Sequence, residues 1–282
     1  LRLTTKYIAL LAILSIGLSS CKKDVVTLPE EPESVQLLHI SHTRGPSDFL
    51  MVDGVEDIDY SKFDVLMLGG DLLISTSLVT GGLDKVDSLF DVGNPNTLWS
   101  IGNHDDWNAG WIPNYTNRPL HYSYYKNGIT YLVLDTENDV SNISGSQLAL
   151  FNNVVDTIQE SSHLIILTHK LIWMDGNKHL EPIANTTANG GLGQATWEIN
   201  PNNFYDDLYW ELLDVQNRGI QVICIGGDLG VHKSEFEYRF DSGIQFLASG
   251  VYYNNTDRKA ILFEHTPSLG ELTWEYVDIA DL

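Results

Sequence analysis

The chain has 282 residues, a formal net charge of −22, and ordinary shares of hydrophobic (43%) and charged (19%) residues. This length is enough for one large hydrophobic core or two small ones. A surface this acidic repels nucleic acid and anionic lipid, so polyanion binding is disfavoured, whereas a small phosphate held by a metal ion is not.

The first 20 residues predict an export signal. Arg2 and Lys6 form a basic segment, and residues 7–18 are an apolar run shorter than a typical membrane span. The following Leu18-Ser19-Ser20-Cys21 resembles the bacterial lipoprotein box, in which the chain is cut before the cysteine and the cysteine is lipidated. The alternative is an ordinary cleaved signal with a chance cysteine beside it.

Residues 21–34 are polar, contain Pro29 and Pro32, and predict a linker without a core. We therefore expect a folded domain over residues 35–282 that is anchored to a membrane outside the cytoplasm, on the periplasmic side or at the cell surface. The other cysteine, Cys224, lies in an apolar run and is predicted to be a buried thiol, so no disulfide with Cys21 is expected.

The rest of the chain predicts one α/β domain with strands at both ends. Apolar runs predict strands at residues 35–41, 64–68, 98–101, 121–125, 129–135, 164–167, 221–225, 235–240, 244–248, 259–264 and 271–277. Asn127-Gly128 is a strong hairpin signal. Helical spacing predicts helices at 147–158 and 205–216, and less clearly at 48–52 and at 78–90, where Gly81-Gly82 intervenes. Residues 170–203 have the composition of a long loop.

Five predicted strands end in polar residues. These ends are Ser41-His42-Thr43-Arg44, Gly70-Asp71, Gly102-Asn103-His104-Asp105, Thr168-His169 and Gly227-Asp228-Leu229-Gly230. Because ligands bind at the carboxyl ends of strands in open α/β sheets, we expect these ends to converge on one site. Each residue also has a structural interpretation, as a helix cap, a hydrogen-bonded turn or a surface ion pair.

The order and spacing of these strand ends across residues 35–277 resemble the calcineurin-like metallophosphoesterases. The family pattern is an Asp-x-His, a Gly-Asp, a Gly-Asn-His-Asp/Glu, a lone His and a Gly-His-x-His. The resemblance implies a four-layer αββα sandwich and a two-metal site. It also implies in-line attack on phosphorus, with His104 assisting the leaving oxygen.

Two strand ends depart from that pattern. His42 and Arg44 stand where the first aspartate and histidine are expected, and Asp228 and Gly230 replace the two histidines of the last motif. Arg44 is a fixed cation that could fill the space of a missing metal and bind phosphate. His232 lies nearby, although its spacing does not match.

We therefore expect one divalent metal ion, or an altered pair, whose identity among Mn, Fe, Zn and Mg the sequence does not give. Its predicted ligands are Asp71, Asn103, His169, Asp228 and His42. His104 and Arg44 are the predicted catalytic residues, and a small phosphate ester is the predicted substrate. The alternative is a catalytically degenerate binding protein for a glycan or protein, in which tryptophans such as Trp107 or Trp197 contact the ligand.

Cys21→Ser should abolish acyl labelling of the chain in a bacterial host, because the thiol is the predicted lipidation site. Ser20→Ala, which keeps a small residue before the cut, should label normally. Labelling that persists in Cys21→Ser would contradict the predicted anchor. The measurement is incorporation of a radioactive or alkynyl fatty acid.

Overall fold

The computed structural model describes residues 33–282. The predicted signal and lipidation site, and all but the last two residues of the predicted linker, lie outside the described residues. No helix within residues 33–282 is long and apolar enough to cross a membrane.

The first sheet has five strands in the order β11-β10-β1-β2-β3. Strands β1, β2 and β3, whose ends carry predicted site residues, are parallel to one another. Strand β10 pairs antiparallel with β1 and with β11. Their bounds are β1 (Val35–Ile40), β2 (Val65–Leu68), β3 (Thr97–Trp99), β10 (Lys259–Thr266) and β11 (Glu271–Asp278).

The second sheet has six strands in the order β4-β5-β6-β7-β9-β8. Its four central strands are parallel, and the two edge strands are antiparallel to their neighbours. Their bounds are β4 (Tyr122–Lys126), β5 (Ile129–Val133), β6 (His163–Thr168), β7 (Gln221–Gly226), β8 (Glu235–Arg239) and β9 (Gln245–Ser249).

The two sheets pack face to face, and helices cover their outer faces. The helices are α1 (Thr80–Phe90), α2 (Ile112–Thr116), α3 (Gly145–Thr157), α4 (Glu181–Ala184) and α5 (Tyr209–Asn217). Phe90 and Ile112 pack on the outer face of the first sheet, and Phe151 and Leu212 on that of the second. A third apolar cluster fills the space between the sheets. The predicted α/β sandwich of four layers is confirmed.

Some local predictions were wrong. Residues 48–52 form no helix; the chain there makes an isolated bridge between Arg44 and Met51, followed by two 3₁₀ turns. Residues 170–203 are more ordered than a loop, with α4 and a bridge between Leu192 and Ile199. The predicted helix at 205–216 begins as a π turn (Phe204–Leu208) before α5. These differences come from long-range packing, to which periodicity is insensitive.

A few polar side chains cross the otherwise apolar space between the sheets. His39 of β1 is fully buried, and its Nδ1 lies 2.8 Å from the Ser249 hydroxyl of β9. The Ser41 hydroxyl donates to the carbonyls of Gly227 and Ser249. These contacts join the strand ends of the two sheets at the level of the predicted site.

Burial makes His39 a source of acid sensitivity. Burial lowers the pKa of His39 to about 3, so the residue stays neutral in the folded chain. In the unfolded chain it takes up a proton near its ordinary pKa of about 6.5. Its contribution to stability is therefore complete above about pH 6.5 and is lost as the pH falls from there toward 3.

His39→Asn keeps a polar group near Ser249 but cannot titrate. Between pH 7 and pH 5 the variant should lose about 2 kcal/mol less unfolding free energy than the wild type. Urea unfolding at the two pH values measures the difference. The exposed His232 provides the control variant His232→Asn, which should follow the wild type. Equal losses of unfolding free energy in all three proteins would contradict His39 as the source of the acid sensitivity.

Candidate metal and phosphate site

One open cavity of about 320 Å³ lies at the carboxyl ends of strands from both sheets. Six of the seven predicted metal and catalytic residues line it: His42, Arg44, Asp71, Asn103, His104 and Asp228. The seventh, His169, is fully buried and contacts two of them. The structure therefore brings all seven together, and their individual roles stay predictions.

Two glycines let the sheets meet at this point. A Cβ on Gly227, which follows β7, would lie only 1.9 Å from the carbonyl oxygen of Gly69, which follows β2. Any side chain there would force the two strand ends apart. After this contact Gly70 and Asp71 take positive φ angles of 91° and 55°, which turn the chain sharply and direct Asp71 inward. Asp71 and Asp228 consequently share one site.

Asp105 ties the ends of β2 and β3 together. Its carboxylate is fully buried and accepts hydrogen bonds from the backbone N–H groups of Asp71 (2.8 Å), Leu72 (3.1 Å) and Gly102 (2.9 Å). The Thr76 hydroxyl also donates to it. The sequence alone predicted no role for Asp105. The only sequence signal was the Asp that follows Asn103-His104.

The two oxygens of the Asp71 carboxylate face different groups. Oδ2 lies 3.4 Å from both the Arg44 Nε and the His42 Nε2. Oδ1 accepts the backbone N–H of His104 at 3.0 Å and lies 3.5 Å from the His169 Nε2. One carboxylate therefore joins an arginine side and a histidine side of the site.

On the arginine side, Arg44 and His42 contact each other. Arg44 Nη2 donates to His42 Nε2 at 3.3 Å, since a guanidinium has no acceptor. Burial lowers the pKa of His42 to about 3 despite the opposing charge of Asp71, so the ring remains neutral. The Nε2 lone pair of His42, a predicted metal ligand, thus already accepts a hydrogen bond from Arg44. Tyr252 supports the cation, with its ring centroid 5.7 Å from the Arg44 Cζ.

On the histidine side, His169 has the orientation of a metal ligand. Its Nδ1 lies 2.7 Å from the Gly69 carbonyl and must therefore donate to it, which leaves Nε2 as the free nitrogen. Nε2 is buried, has no hydrogen-bond partner among residues 33–282, and lies 3.5 Å from Asp71 Oδ1 and 3.9 Å from Asp228 Oδ1. Metal-binding histidines commonly have this second hydrogen bond to a carbonyl.

These donors fit a divalent ion in kind. Two carboxylates, an imidazole lone pair and the Asn103 amide suit a hard or borderline metal. Ligand atoms about 2.1 Å from a tetrahedral ion are about 3.4 Å apart, close to the Asp71–His169 separation. The His169–Asp228 separation is wider. Within residues 33–282 no group of three or more His, Cys, Asp or Glu side chains is already spaced as a metal site.

The charges around the two carboxylates are unequal. Burial raises the pKa of Asp71, but neighbouring positive groups, His169 first and Arg44 among them, outweigh burial and hold that pKa at about 2. Burial raises the pKa of Asp228, and His169 offsets this only in part. Burial opposes the charging of His169, but Asp71 and Asp228 raise its pKa above the ordinary value. The site therefore attracts positive charge to the space around His169 Nε2.

His104 is fixed by the loop that follows β2. Its Nδ1 lies 2.7 Å from the Ile74 carbonyl and donates to it, which leaves Nε2 as the nitrogen available in the cavity. A nitrogen in this position can carry a proton to a bound group.

The remaining sequence candidates lie outside the site. His232 is exposed and does not line the cavity. Gly230 has a φ of 123°, and a Cβ there would lie 3.0 Å from the Val251 carbonyl oxygen. The backbone at Gly230 therefore disfavours the histidine that the family pattern places there.

No protein-family model matches the sequence, and no curated protein matches it significantly. Solved structures do match. A dimetal phosphatase from Danio rerio has a TM-score of 0.52 at 12% identity, over 83% of this chain and 96% of that chain. The NAD nucleotidase of Haemophilus influenzae has a TM-score of 0.42 at 14% identity, over 87% of this chain and 49% of that one. A 5′-nucleotidase precursor from Thermus thermophilus has a TM-score of 0.42 at 13% identity, over 86% and 54%.

The likeness to the dimetal phosphatase, which covers nearly all of that chain, shows the fold. The chain is an α/β protein with two mixed sheets and the fold of the calcineurin-like metallophosphoesterases. Within this fold, the Arg44 guanidinium contacts the Oδ2 atom of Asp71.

Asp105→Ala should lower the unfolding free energy by about 3 kcal/mol or more, because it leaves three buried N–H groups without acceptors. Asp105→Asn keeps one acceptor oxygen and should cost less. The adjacent Asp106 is exposed, and Asp106→Ala should change stability by no more than about 0.5 kcal/mol. Chemical denaturation measures all three, and equal stability of the two alanine variants would contradict the role of Asp105.

Proposed function

We propose that the protein is a metal-dependent phosphoester hydrolase, anchored outside the cytoplasm through Cys21. The observation that carries the proposal is the Asp71 carboxylate, which contacts Arg44 through one oxygen and His169 through the other. This arrangement supports one divalent ion beside a fixed cation. A phosphate ester placed in the cavity would then meet positive charge from both sides.

Asp71, Asn103, His169 and Asp228 would hold the divalent ion. When bound, such an ion supplies Lewis-acid polarisation of the phosphoryl group. Arg44 takes the position of a second cation and binds phosphoryl oxygens through its guanidinium. Because Arg44 is already in contact with Asp71 and His42, its geometry is set before the substrate binds.

His104 handles the proton in the proposed reaction. In its imidazolium form, Nε2–H donates to the bridging oxygen of the ester as the P–O bond to the leaving group breaks. Water provides the oxygen of the new P–O bond and gives up a proton that restores the imidazolium, and the products are an alcohol and a phosphate. The bond from Nδ1 to the Ile74 carbonyl keeps Nε2 in the cavity during this step.

Activity on 4-nitrophenyl phosphate should be present in the metal-loaded protein and lost after chelation. His104→Gln should lower kcat by about 10²- to 10⁴-fold, because the proton donor is removed. Arg44→Gln should raise KM and lower kcat/KM. His232→Gln, at an exposed histidine outside the cavity, should leave both constants unchanged. A metal-loaded protein without activity, or a His104→Gln variant as active as the wild type, would refute the proposal.

A second candidate is a catalytically degenerate binding protein of the same fold. The favouring observation is that Arg44 already binds the Asp71 oxygen and the His42 nitrogen that a first metal ion would need. The triple variant His42→Asp, Arg44→His, Asp228→His restores the family residues and leaves Gly230, whose backbone disfavours a side chain, unchanged. Activity that appears only in the triple variant would favour the binding protein over the hydrolase.

A further inference from the structure

One wall of the cavity contains an exposed tryptophan. Trp197 lines the cavity together with Asn189 and Val231, and 57% of its surface is exposed. None of these three residues belongs to the predicted ligand or catalytic set. A tryptophan in a cavity wall can contact a ligand through its ring face.

The backbone beneath Trp197 is firmly held. The side chain of Lys170 is fully buried, and its Nζ donates to the Thr196 carbonyl at 2.6 Å and pairs with Glu137 at 3.1 Å. Glu198 Oε2 accepts the N–H groups of Gln194 and Ala195, both at 2.7 Å. An exposed ring on a fixed backbone loses little entropy when a ligand stacks on it.

Asn189 and Gly190 link the tryptophan to the rest of the site. A Cβ on Gly190 would lie 2.2 Å from the Trp197 carbonyl oxygen, so these two segments are in close contact. The Gly190 N–H donates to Asp228 Oδ2 at 3.2 Å. The tryptophan wall therefore adjoins the carboxylate at the histidine side of the site.

Asn189 also presents an unused hydrogen-bond donor. Its Oδ1 accepts the Val231 N–H at 2.7 Å, which fixes the orientation of the amide. Its Nδ2 is buried and has no hydrogen-bond partner in the part of the chain that the structure describes. A buried donor without a partner is costly, and an acceptor atom on a ligand would satisfy it.

We propose that the cavity selects phosphate esters whose leaving group is an aromatic ring, which stacks on Trp197 and places an acceptor atom at Asn189 Nδ2. The volume of about 320 Å³ suits one ring and one phosphate group. This assignment rests on the proposed function and adds the chemical class of the leaving group. Trp197 and Asn189 determine specificity and take no part in the proton transfer.

Binding of non-hydrolysable phosphonates tests the stacking separately from catalysis. Calorimetry with phenylphosphonate and methylphosphonate should give the wild type roughly a tenfold preference for the phenyl compound, as expected for one stacked ring. Trp197→Ala should lose this preference and bind methylphosphonate as before. Trp107 is 59% exposed and does not line the cavity, so Trp107→Ala is the matched control and should keep the preference.

Asn189→Asp tests the hydrogen bond to the ring. The aspartate keeps an oxygen for the Val231 N–H but has no Nδ2 donor, and its charge affects all phosphonates alike. The wild type should bind 4-nitrophenylphosphonate several-fold more tightly than phenylphosphonate, and Asn189→Asp should lose that difference.

The outcomes separate the two proposals. A wild type that binds phenylphosphonate and methylphosphonate equally, or a Trp197→Ala variant that keeps the preference, overturns the ring site and leaves the phosphate site intact. A wild type that binds neither phosphonate contradicts the proposed function and, with it, the ring site.

Discussion

The site depends on the buried carboxylate of Asp105. By accepting the N–H groups of Asp71, Leu72 and Gly102, it fixes the end of β2 against the end of β3. Asp71 can then adopt a left-handed backbone conformation, which costs about 1 kcal/mol or more in isolation. The carboxylate of Asp71 consequently lies where both sheets end. The contacts of the Asp71 carboxylate with Arg44 and His169 therefore depend on Asp105.

Asp71 in turn balances the charges of the site. Two buried acids beside one neutral imidazole would repel each other, and each needs a compensating cation. Arg44 provides a permanent one on the Oδ2 side of Asp71. Among the described residues 33–282 no permanent cation contacts His169 Nε2, which carries its lone pair between Asp71 and Asp228 unless it is protonated.

Much of the fold followed from local sequence signals. Apolar runs predicted all eleven strands of residues 33–282, and Asn127-Gly128 lies at the predicted hairpin between β4 and β5. The polar strand ends predicted which side chains would meet, because strands in parallel order bring their carboxyl ends to one edge. The helix predicted at 48–52 was wrong, since local spacing does not detect the bridge between Arg44 and Met51. Several contacts join distant parts of the chain. Gly69 lies against Gly227, Asp105 accepts the N–H of Asp71, and Lys170 donates to the carbonyl beside Trp197. Such contacts leave no periodic pattern in the sequence.

The central claim is that Arg44 replaces one metal ion and leaves a place for one other. Elemental analysis of the purified chain, with anomalous diffraction to locate the ion, tests this claim most directly. The account predicts one divalent ion per chain, next to His169 Nε2 and the Asp71 and Asp228 carboxylates, with the Arg44 guanidinium on the other side of Asp71. Two ions in the cavity, or none after loading with manganese or zinc, would contradict it.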